Sequence, residues 1–378
     1  MQGFRLGSIW GFEVRIDASW FVIFFLILWT LSAGAFPTQF PELSAGTHLA
    51  MGLAGTLLFF VSLVLHELSH SLVARSKGIP IEGITLFIFG GVARISREAK
   101  TPGDEFQIAV VGPLASFAIA LCSGLTAWVG GMAGWSIAVT GVANYLAYIN
   151  LALGIFNLLP GFPLDGGRLF RAIVWKWTGN QTRATQIASS SGKALGFAIV
   201  FLGVLLLLRG LIFNGLWFVL MGMFLQNSAE AGYQQQLLQV GLAGVQAWEV
   251  MTRHPETVPH DLSLQQLVDE YFLHRRHHSF PVLRGGHPCG IVTLNQVKQV
   301  PREQWQRLTV GDIMKPLDRT VVVRPEEKIL DTLKRMDESQ VGRVLVILDG
   351  ALEGIISARD IADWLRQTGD LSDLQHRF

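Results

Sequence analysis

The sequence predicts an α-helical polytopic membrane domain of about six transmembrane helices, followed by a soluble α/β domain made of a repeated unit. Three observations predict this fold class. Half of the 378 residues are apolar. Residues 1–243 contain only 23 charged side chains, whereas the shorter segment 244–378 contains 36. The long apolar runs all lie in the first of these two segments. A net charge of +1 gives no support for a nucleic-acid partner.

Apolar runs define the predicted membrane spans. A transmembrane helix needs about 20 predominantly apolar residues, and six runs approach this length. The fifth and sixth are short and close together, so we expect them to form a hairpin. The predicted spans are 19–36, 49–74, 105–130, 136–159, 193–209 and 211–228.

Basic residues predict the orientation, because Lys and Arg favour the cytoplasmic side of a membrane. Five of them, including Arg97, lie between the second and third spans. The loops 37–48 and 131–135 contain none. With six spans, this distribution predicts a multi-pass protein of the cell membrane with both termini in the cytoplasm.

A metal-binding pattern lies near the end of the second span. His66 and His70 are four residues apart, so on a helix their imidazoles share a face and can bind one zinc ion. Glu67 lies beside them as a candidate general base. Ionisable residues inside a spanning helix are costly and usually functional. A capping cluster at a helix end is the alternative interpretation.

Asp165 is the candidate for a third metal ligand. A catalytic zinc usually has three protein ligands, and Asp165 is the only carboxylate between Glu105 and Glu230. Pro160 and Pro163 break the helix before it, so the carboxylate can turn towards the histidines. The alternative is an Asp that caps the following helix.

These two motifs resemble those of the site-2 protease family of intramembrane zinc metalloproteases. HExxH occurs at His66–His70, and N-x-x-P-x-x-P-x-D-G occurs at Asn157–Gly166. The resemblance covers about 49–180 and implies that this segment is the catalytic core. It also implies one zinc ion with Glu67 as the catalytic base. The ligands implied by the resemblance are His66, His70 and Asp165.

Zinc would polarise the scissile carbonyl of a transmembrane substrate, and Glu67 would transfer the proton of the attacking water to the leaving amine. The substrate helix must unwind first, because its amides are hydrogen-bonded internally. Residues 84–95 are β-branched and aromatic around Gly90 and Gly91. We predict a membrane-dipping hairpin or edge strand that pairs with unwound substrate; a simple connector is the alternative. Asn157 bonds either substrate or a neighbouring helix.

The charged last third contains an internal repeat with an offset of 63 to 64 residues. For example, Gly290-Ile291-Val292-Thr293 aligns with Gly354-Ile355-Ile356-Ser357. Each unit pairs short β-rich runs with an amphipathic helix, so we expect the two units to pack together. The repeat resembles a tandem pair of cystathionine-β-synthase (CBS) domains. The predicted organisation is a membrane domain at 1–228, a linker at 229–244, and CBS domains at 245–306 and 307–378.

CBS pairs commonly bind adenine nucleotides such as ATP, ADP or AMP, and the resemblance implies a signature of the form G-h-h-S/T-x-x-D. The second unit keeps it, with Ser357 for phosphate and Asp360 for ribose. The first unit has Thr293 but Gln296 in place of the Asp. One nucleotide site is therefore expected rather than two, and a purely structural pair is the alternative. A homodimer formed through the CBS pairs is a further expectation.

Two classes of function follow from the sequence. The first is an intramembrane zinc endopeptidase for membrane-protein substrates, gated by nucleotide binding to the CBS pair. The second is a CBS-regulated transporter in which the His, Glu and Asp cluster forms an ion site. A transporter distributes polar residues along a route through several helices, whereas here the charged groups lie at one depth, which favours the protease.

Overall fold

The computed structural model describes residues 4–95, 99–275, 277–339 and 341–375. Arg97, one of the basic residues used to predict the orientation, lies outside the described residues. The chain forms two compact units, Met1–Gln236 and Leu237–Phe378.

The first unit is a helical bundle with one small sheet. In chain order its helices are α1 Ser19–Trp29, which continues through a π-helical turn at Thr30–Ala35, α2 Phe36–Gln39, α3 Ala45–Ser76, α4 Pro102–Met132, α5 Ile137–Asn157, α6 Asp165–Thr178, α7 Gln181–Leu208 and α8 Ile212–Gly241. Side chains cap four of the long helices: Ser44 accepts from Thr47, Thr101 from Asp104, Ser136 from Ala138, and Asn180 from Arg183.

Five apolar segments of the described chain are long enough to cross a bilayer: Ser19–Gln39, Ala45–Ser76, Pro102–Met132, Ile137–Asn157 and Gln181–Leu208. They correspond to the first five predicted spans. The sixth predicted span lies in α8, which is not among the five. Its apolar run has polar residues near both ends, with Asn214 at the start and Gln226 and Asn227 at the end.

The sheet of this unit contains two hairpins. Its strands are β1 Phe4–Ile9, β2 Phe12–Ile16, β3 Ile81–Phe87 and β4 Gly90–Ile95. The order is β1-β2-β3-β4, with β2 and β3 parallel and the other pairs antiparallel. Phe12 and Ile84 pack against Leu68 of α3. The segment predicted as a hairpin or edge strand is therefore a hairpin, and β4 is an edge strand. The hairpin β1–β2 was not predicted.

The second unit contains two four-stranded sheets. Its strands are β5 Thr252–Arg253, β6 Val258–Pro259, β7 Ser279–Arg284, β8 His287–Thr293, β9 Lys315–Pro316, β10 Val322–Val323, β11 Arg343–Leu348 and β12 Ala351–Ser357. The sheet orders are β6-β7-β8-β9 and β10-β11-β12-β5. Each sheet therefore takes its fourth strand from the other sequence repeat.

Short helices cover these sheets: α9 Ala247–Val250, α10 Leu264–Gln266, which continues as a π-helical turn at Leu267–Phe272, α11 Leu294–Lys298, a 3₁₀ turn at Arg302–Gln304, α12 Val310–Ile313, α13 Ile329–Glu338 and α14 Ala358–Gln375. Each hydrophobic core also combines residues of both repeats. Val250 of α9 packs with Val344 and Ile356 of the second repeat, whereas Val310 of α12 packs with Val282 of the first. As expected from the sequence, the two units of the repeat pack together.

Candidate metal centre

Helix α3 carries the two histidines of the HExxH pattern. Residues i and i+4 of an α-helix lie on one face, and the imidazole centroids of His66 and His70 are 5.0 Å apart. Both side chains are buried, at 2% and 4% exposure. Their Nε2 atoms are 3.3 Å apart, so both nitrogens point to the same small volume.

Asp165 joins them from the first residue of α6. Its Oδ2 lies 3.1 Å from Nε2 of His66 and 3.1 Å from Nε2 of His70. The residue at the cap position is Leu164, and no side chain makes a capping hydrogen bond there. The capping alternative for Asp165 is therefore wrong, because its carboxylate faces the histidines instead.

The turn before Asp165 depends on two glycines that follow it. A Cβ on Gly166 would lie 2.2 Å from the Leu158 carbonyl oxygen, and one on Gly167 would lie 2.3 Å from the Gly161 carbonyl carbon. Both distances are shorter than van der Waals contact, so only glycine fits. This close packing brings the start of α6 against the end of α5 and directs the carboxylate inward.

The three atoms fit a zinc ion. Two histidines and one carboxylate form a known catalytic zinc ligand set, with bonds of about 2.0–2.2 Å. Tetrahedral ligands at that distance are about 3.3–3.6 Å from one another. The observed separations of 3.1 and 3.3 Å are close to this value. Among the described residues this is the one cluster of three or more His, Cys, Asp or Glu residues with metal-binding spacing.

Helix α4 orients both imidazoles. His70 Nδ1 donates to the Ile108 carbonyl oxygen at 2.6 Å, and His66 Nδ1 lies 2.8 Å from the Ser116 hydroxyl oxygen. An Nδ1 that donates its proton to such an oxygen leaves Nε2 of a neutral imidazole as the metal ligand. Neither partner is predictable from the sequence. A backbone carbonyl gives no residue-type signal, and Ser116 is indistinguishable from a small helix-packing residue.

Gly112 lies between these two partners on α4. A Cβ at this position would lie 2.1 Å from His70 Nε2 and 2.7 Å from His66 Nε2. The backbone of α4 therefore approaches the centre where a side chain would occupy the metal position. Nothing in the sequence distinguishes this glycine from a small residue of helix packing.

The centre opens into a cavity of about 600 Å³. Its lining is mainly apolar, and it contains every residue predicted for metal binding, catalysis and substrate binding: His66, Glu67, His70, Gly90, Gly91, Asn157 and Asp165. Helix α8 contributes Trp217, Met221 and Phe224. The ring of Phe224 stacks on Phe89 of the β3–β4 hairpin at a centroid distance of 4.2 Å.

Strand β4 passes close to Glu67. A Cβ on Gly91 would lie 2.6 Å from Glu67 Cγ, so a larger residue there would displace the carboxylate. The edge strand, the candidate base and the metal ligands therefore form one continuous site.

Family models match both parts of the chain. The model of peptidase family M50 matches residues 54–132 and 123–203, and the CBS domain model matches 247–302 and 310–367. A protein of Mycobacterium tuberculosis named as a zinc metalloprotease, Rip3, is 36% identical over 360 residues, covering 94% of this chain and 91% of the relative. The chain belongs to peptidase family M50.

Two further proteins resemble this M50 peptidase. Zinc metalloprotease MJ0392 of Methanocaldococcus jannaschii is 33% identical, over 81% of this chain and 83% of the relative. A solved structure titled as a site-2 protease from the same organism is 29% identical, covers 61% of this chain and 95% of its own, and has a TM-score of 0.44. Family membership implies zinc and a membrane-embedded enzyme, so the transporter alternative is not supported.

In the CBS pair of this M50 peptidase, the predicted nucleotide residues form helix caps. Asp360 Oδ2 accepts from the Ser357 amide and hydroxyl at 2.7 and 2.5 Å, and its Oδ1 accepts from the Thr252 hydroxyl at 2.6 Å. Thr293 and Gln296 make the equivalent reciprocal cap at the start of α11. The signature S/T-x-x-D/Q is thus also a capping box.

A cation, Arg343, lies next to the cap formed by Ser357 and Asp360. Arg343 pairs with Ser357 in the β11–β12 register. Burial lowers the pKa of the Arg343 guanidinium, and the Asp360 carboxylate opposes the shift. Arginine stays protonated in proteins, so Arg343 is a partly buried positive charge beside the predicted phosphate-binding hydroxyl.

Proposed function

We propose that this chain is an intramembrane endopeptidase that cleaves peptide bonds in or near transmembrane segments of membrane proteins. The observation that carries the proposal is the convergence of His66, His70, Asp165 and Glu67 in one cavity among helices apolar enough to span a bilayer. The test is cleavage of a labelled transmembrane peptide by the full chain reconstituted in vesicles. Cleavage of the peptide within its apolar segment is expected; no cleavage would contradict the proposal.

The proposed roles follow from the geometry. His66, His70 and Asp165 would hold one zinc ion, which supplies Lewis-acid polarisation of the scissile carbonyl and lowers the pKa of water to about 7. Glu67 lines the same cavity, and we assign it the proton transfer from the attacking water to the leaving amine. Ser116 and the Ile108 carbonyl keep the imidazoles in the orientation that this chemistry requires.

Substrate binding is proposed for the edge of β4 and for Asn157. An edge strand has unpaired backbone groups that can pair with an extended peptide. Gly90 and Gly91 line the cavity on this strand, and Gly91 adjoins Glu67. A substrate paired with β4 would therefore place its backbone beside the base. Asn157, at the end of α5, offers an amide to the same cavity.

Proline substitutions on β4 test the strand-pairing proposal. Gly91→Pro and, separately, Val92→Pro remove successive backbone N–H groups, and one of the two faces the open edge. At least one variant should lose about 10-fold or more in cleavage rate, equivalent to about 1.4 kcal/mol, because it loses a substrate hydrogen bond. Gly91→Ala places the same Cβ beside Glu67 but keeps the amide, so it separates crowding of Glu67 from the loss of the hydrogen bond.

The matched control is Val92→Ala, which shortens the same side chain and keeps the amide. Zinc content is measured for all variants. Wild-type cleavage by both proline variants would overturn strand pairing without affecting the proposed zinc chemistry.

We also propose that the CBS pair binds one adenine nucleotide and that binding changes the cleavage rate. The support is the Ser357 and Asp360 signature together with the adjacent Arg343 cation. A nucleotide phosphate favours arginine through charge-assisted hydrogen bonds, and a carboxylate accepts from ribose hydroxyls. Thr293 is the corresponding residue of the first unit, where Gln296 replaces the acid.

Replacing Asp360 by Ala should weaken ATP, ADP or AMP binding to the full chain by about 10-fold or more, measured by titration calorimetry, because charged hydrogen bonds contribute about 1.5–3 kcal/mol. The matched control is Gln296→Ala, which removes the equivalent helix cap in the other repeat. Equal nucleotide affinities of the two variants would contradict the assignment of Asp360 to the nucleotide site. Identical cleavage rates with and without nucleotide would contradict gating.

Three features of the organisation stay predictions. The domain boundaries predicted above are tested by limited proteolysis, with cuts expected in 229–244. A homodimer through the CBS pairs is tested by the mass of the purified chain with and without lipid.

Both termini are predicted in the cytoplasm, so reporter fusions at residues 1 and 378 should give cytoplasmic signals. Since five spans alone would place the termini on opposite sides, opposite signals would mean that α8 does not cross.

A further inference from the structure

A buried ion pair lies next to the metal centre but outside the cavity. Glu105, on the first turn of α4, is fully buried, and Arg171 of α6 is 5% exposed. Both Nε and one terminal nitrogen of Arg171 lie 2.5 Å from Glu105 Oε1. A buried ion pair is a weak source of net stability, because desolvation offsets much of the attraction. Its position therefore needs another explanation.

The position of Glu105 on α4 provides one. Glu105, Ile108, Gly112 and Ser116 are spaced three, four and four residues apart, so they lie on one face of the helix. Three of them adjoin the histidines, through the Ile108 carbonyl, the Gly112 backbone and the Ser116 hydroxyl. The face of α4 that orients the imidazoles therefore also carries Glu105. Its carboxylate forms the ion pair with Arg171 of α6, the helix whose first residue is Asp165.

Arg171 also contacts the elements around Asp165. Its guanidinium lies 5.6 Å from the ring centroid of Phe162, in the turn that precedes Asp165, and donates to the Thr185 hydroxyl of α7 at 3.4 Å. The turn itself is held by α7, where Phe162 donates its amide to the Ala188 carbonyl at 3.2 Å. Arg171 therefore joins α4, α7 and the turn before the third ligand.

We propose that Glu105 and Arg171 are positioning residues that hold Asp165 at metal-binding distance from His66 and His70. The inference rests on the proposed zinc ligation. Groups that orient metal ligands change metal affinity by about 10- to 100-fold when they are removed. The loss of the pair should therefore weaken zinc binding, since Asp165 and the imidazoles would no longer be held in register by α4 and α6.

The test measures the zinc dissociation constant of the full chain by chelator competition, below the unfolding temperature of each variant. Arg171→Met and Glu105→Gln should each bind zinc about 10- to 100-fold more weakly. Arg171→Lys, which keeps the charge, should bind more tightly than Arg171→Met. The control is Arg183→Met, an exposed arginine on the first turn of α7, with unchanged affinity expected.

Wild-type zinc affinity in folded Arg171→Met would overturn the inference, as would equal losses in the Lys and Met variants. If Arg171→Met does not fold, the zinc affinity of Glu105→Gln tests the inference, and wild-type affinity in that variant would overturn it. The result is separable from the proposed function: a wild-type chain that binds no zinc contradicts that function, whereas wild-type affinity in the variants contradicts only the positioning role.

Discussion

Replacing Glu67 by Gln should lower the cleavage rate by about 10²- to 10⁴-fold, the usual contribution of general acid–base catalysis, while the protein keeps its zinc. Gln has nearly the same shape but cannot accept the proton of the attacking water. The three proposed ligands, His66, His70 and Asp165, are unchanged, so metal content should not fall. The measurement is the cleavage rate of a transmembrane peptide in vesicles, with zinc determined on the same sample.

The control is Glu42→Gln, which makes the same chemical change at an exposed residue before α3. It should cleave at the wild-type rate. Unchanged cleavage by the Glu67 variant would remove Glu67 from the mechanism. Loss of zinc in that variant would instead assign Glu67 to the metal.

The second large effect is expected at Gly112. Its replacement by Ala places a methyl group 2.1 Å from His70 Nε2 and 2.7 Å from His66 Nε2. The rings cannot turn away without breaking the hydrogen bonds to the Ile108 carbonyl and Ser116. Zinc affinity should fall by at least about 100-fold, the upper end for changes around metal ligands, and cleavage should fall with it.

Gly124→Ala is the matched control, because it lies on the same helix and its new methyl group would be 3.7 Å from the nearest atom, the Ala147 Cβ. That distance is ordinary contact, so zinc binding and cleavage should stay unchanged. Wild-type zinc binding by the Gly112 variant would contradict the geometry of the centre.

Side-chain chemistry was the predictable part of the site. The i, i+4 spacing of His66 and His70 implies one helix face, and Asp165 stands out as a carboxylate among apolar residues. Their convergence therefore followed from residue types and helix geometry. The hydrogen-bond partners did not, since the Ile108 carbonyl has no residue signature, and Gly112 is one small residue among many in α4. Such features depend on how α3 packs on α4.

Two parts of the fold show why local patterns were insufficient. The alternation of Phe12, Val14 and Ile16 is a strand signal with period two, and it could have predicted β2. Its hairpin partner β1 is close in sequence, but its place in the sheet depends on β3, which lies about 70 residues later in the sequence. The exchange of β5 and β9 between the CBS repeats was likewise hidden, since two-residue strands carry no periodicity.

The central claim is that two histidines and one aspartate hold a zinc ion used for cleavage within a membrane. The most direct measurement is peptide cleavage by the wild-type chain in vesicles before chelation, after removal of zinc, and after its return. Cleavage within the apolar segment should stop on removal and recover on return, and Asp165→Ala should show no recovery at the same zinc concentration. Cleavage that persists after complete zinc removal would contradict the claim.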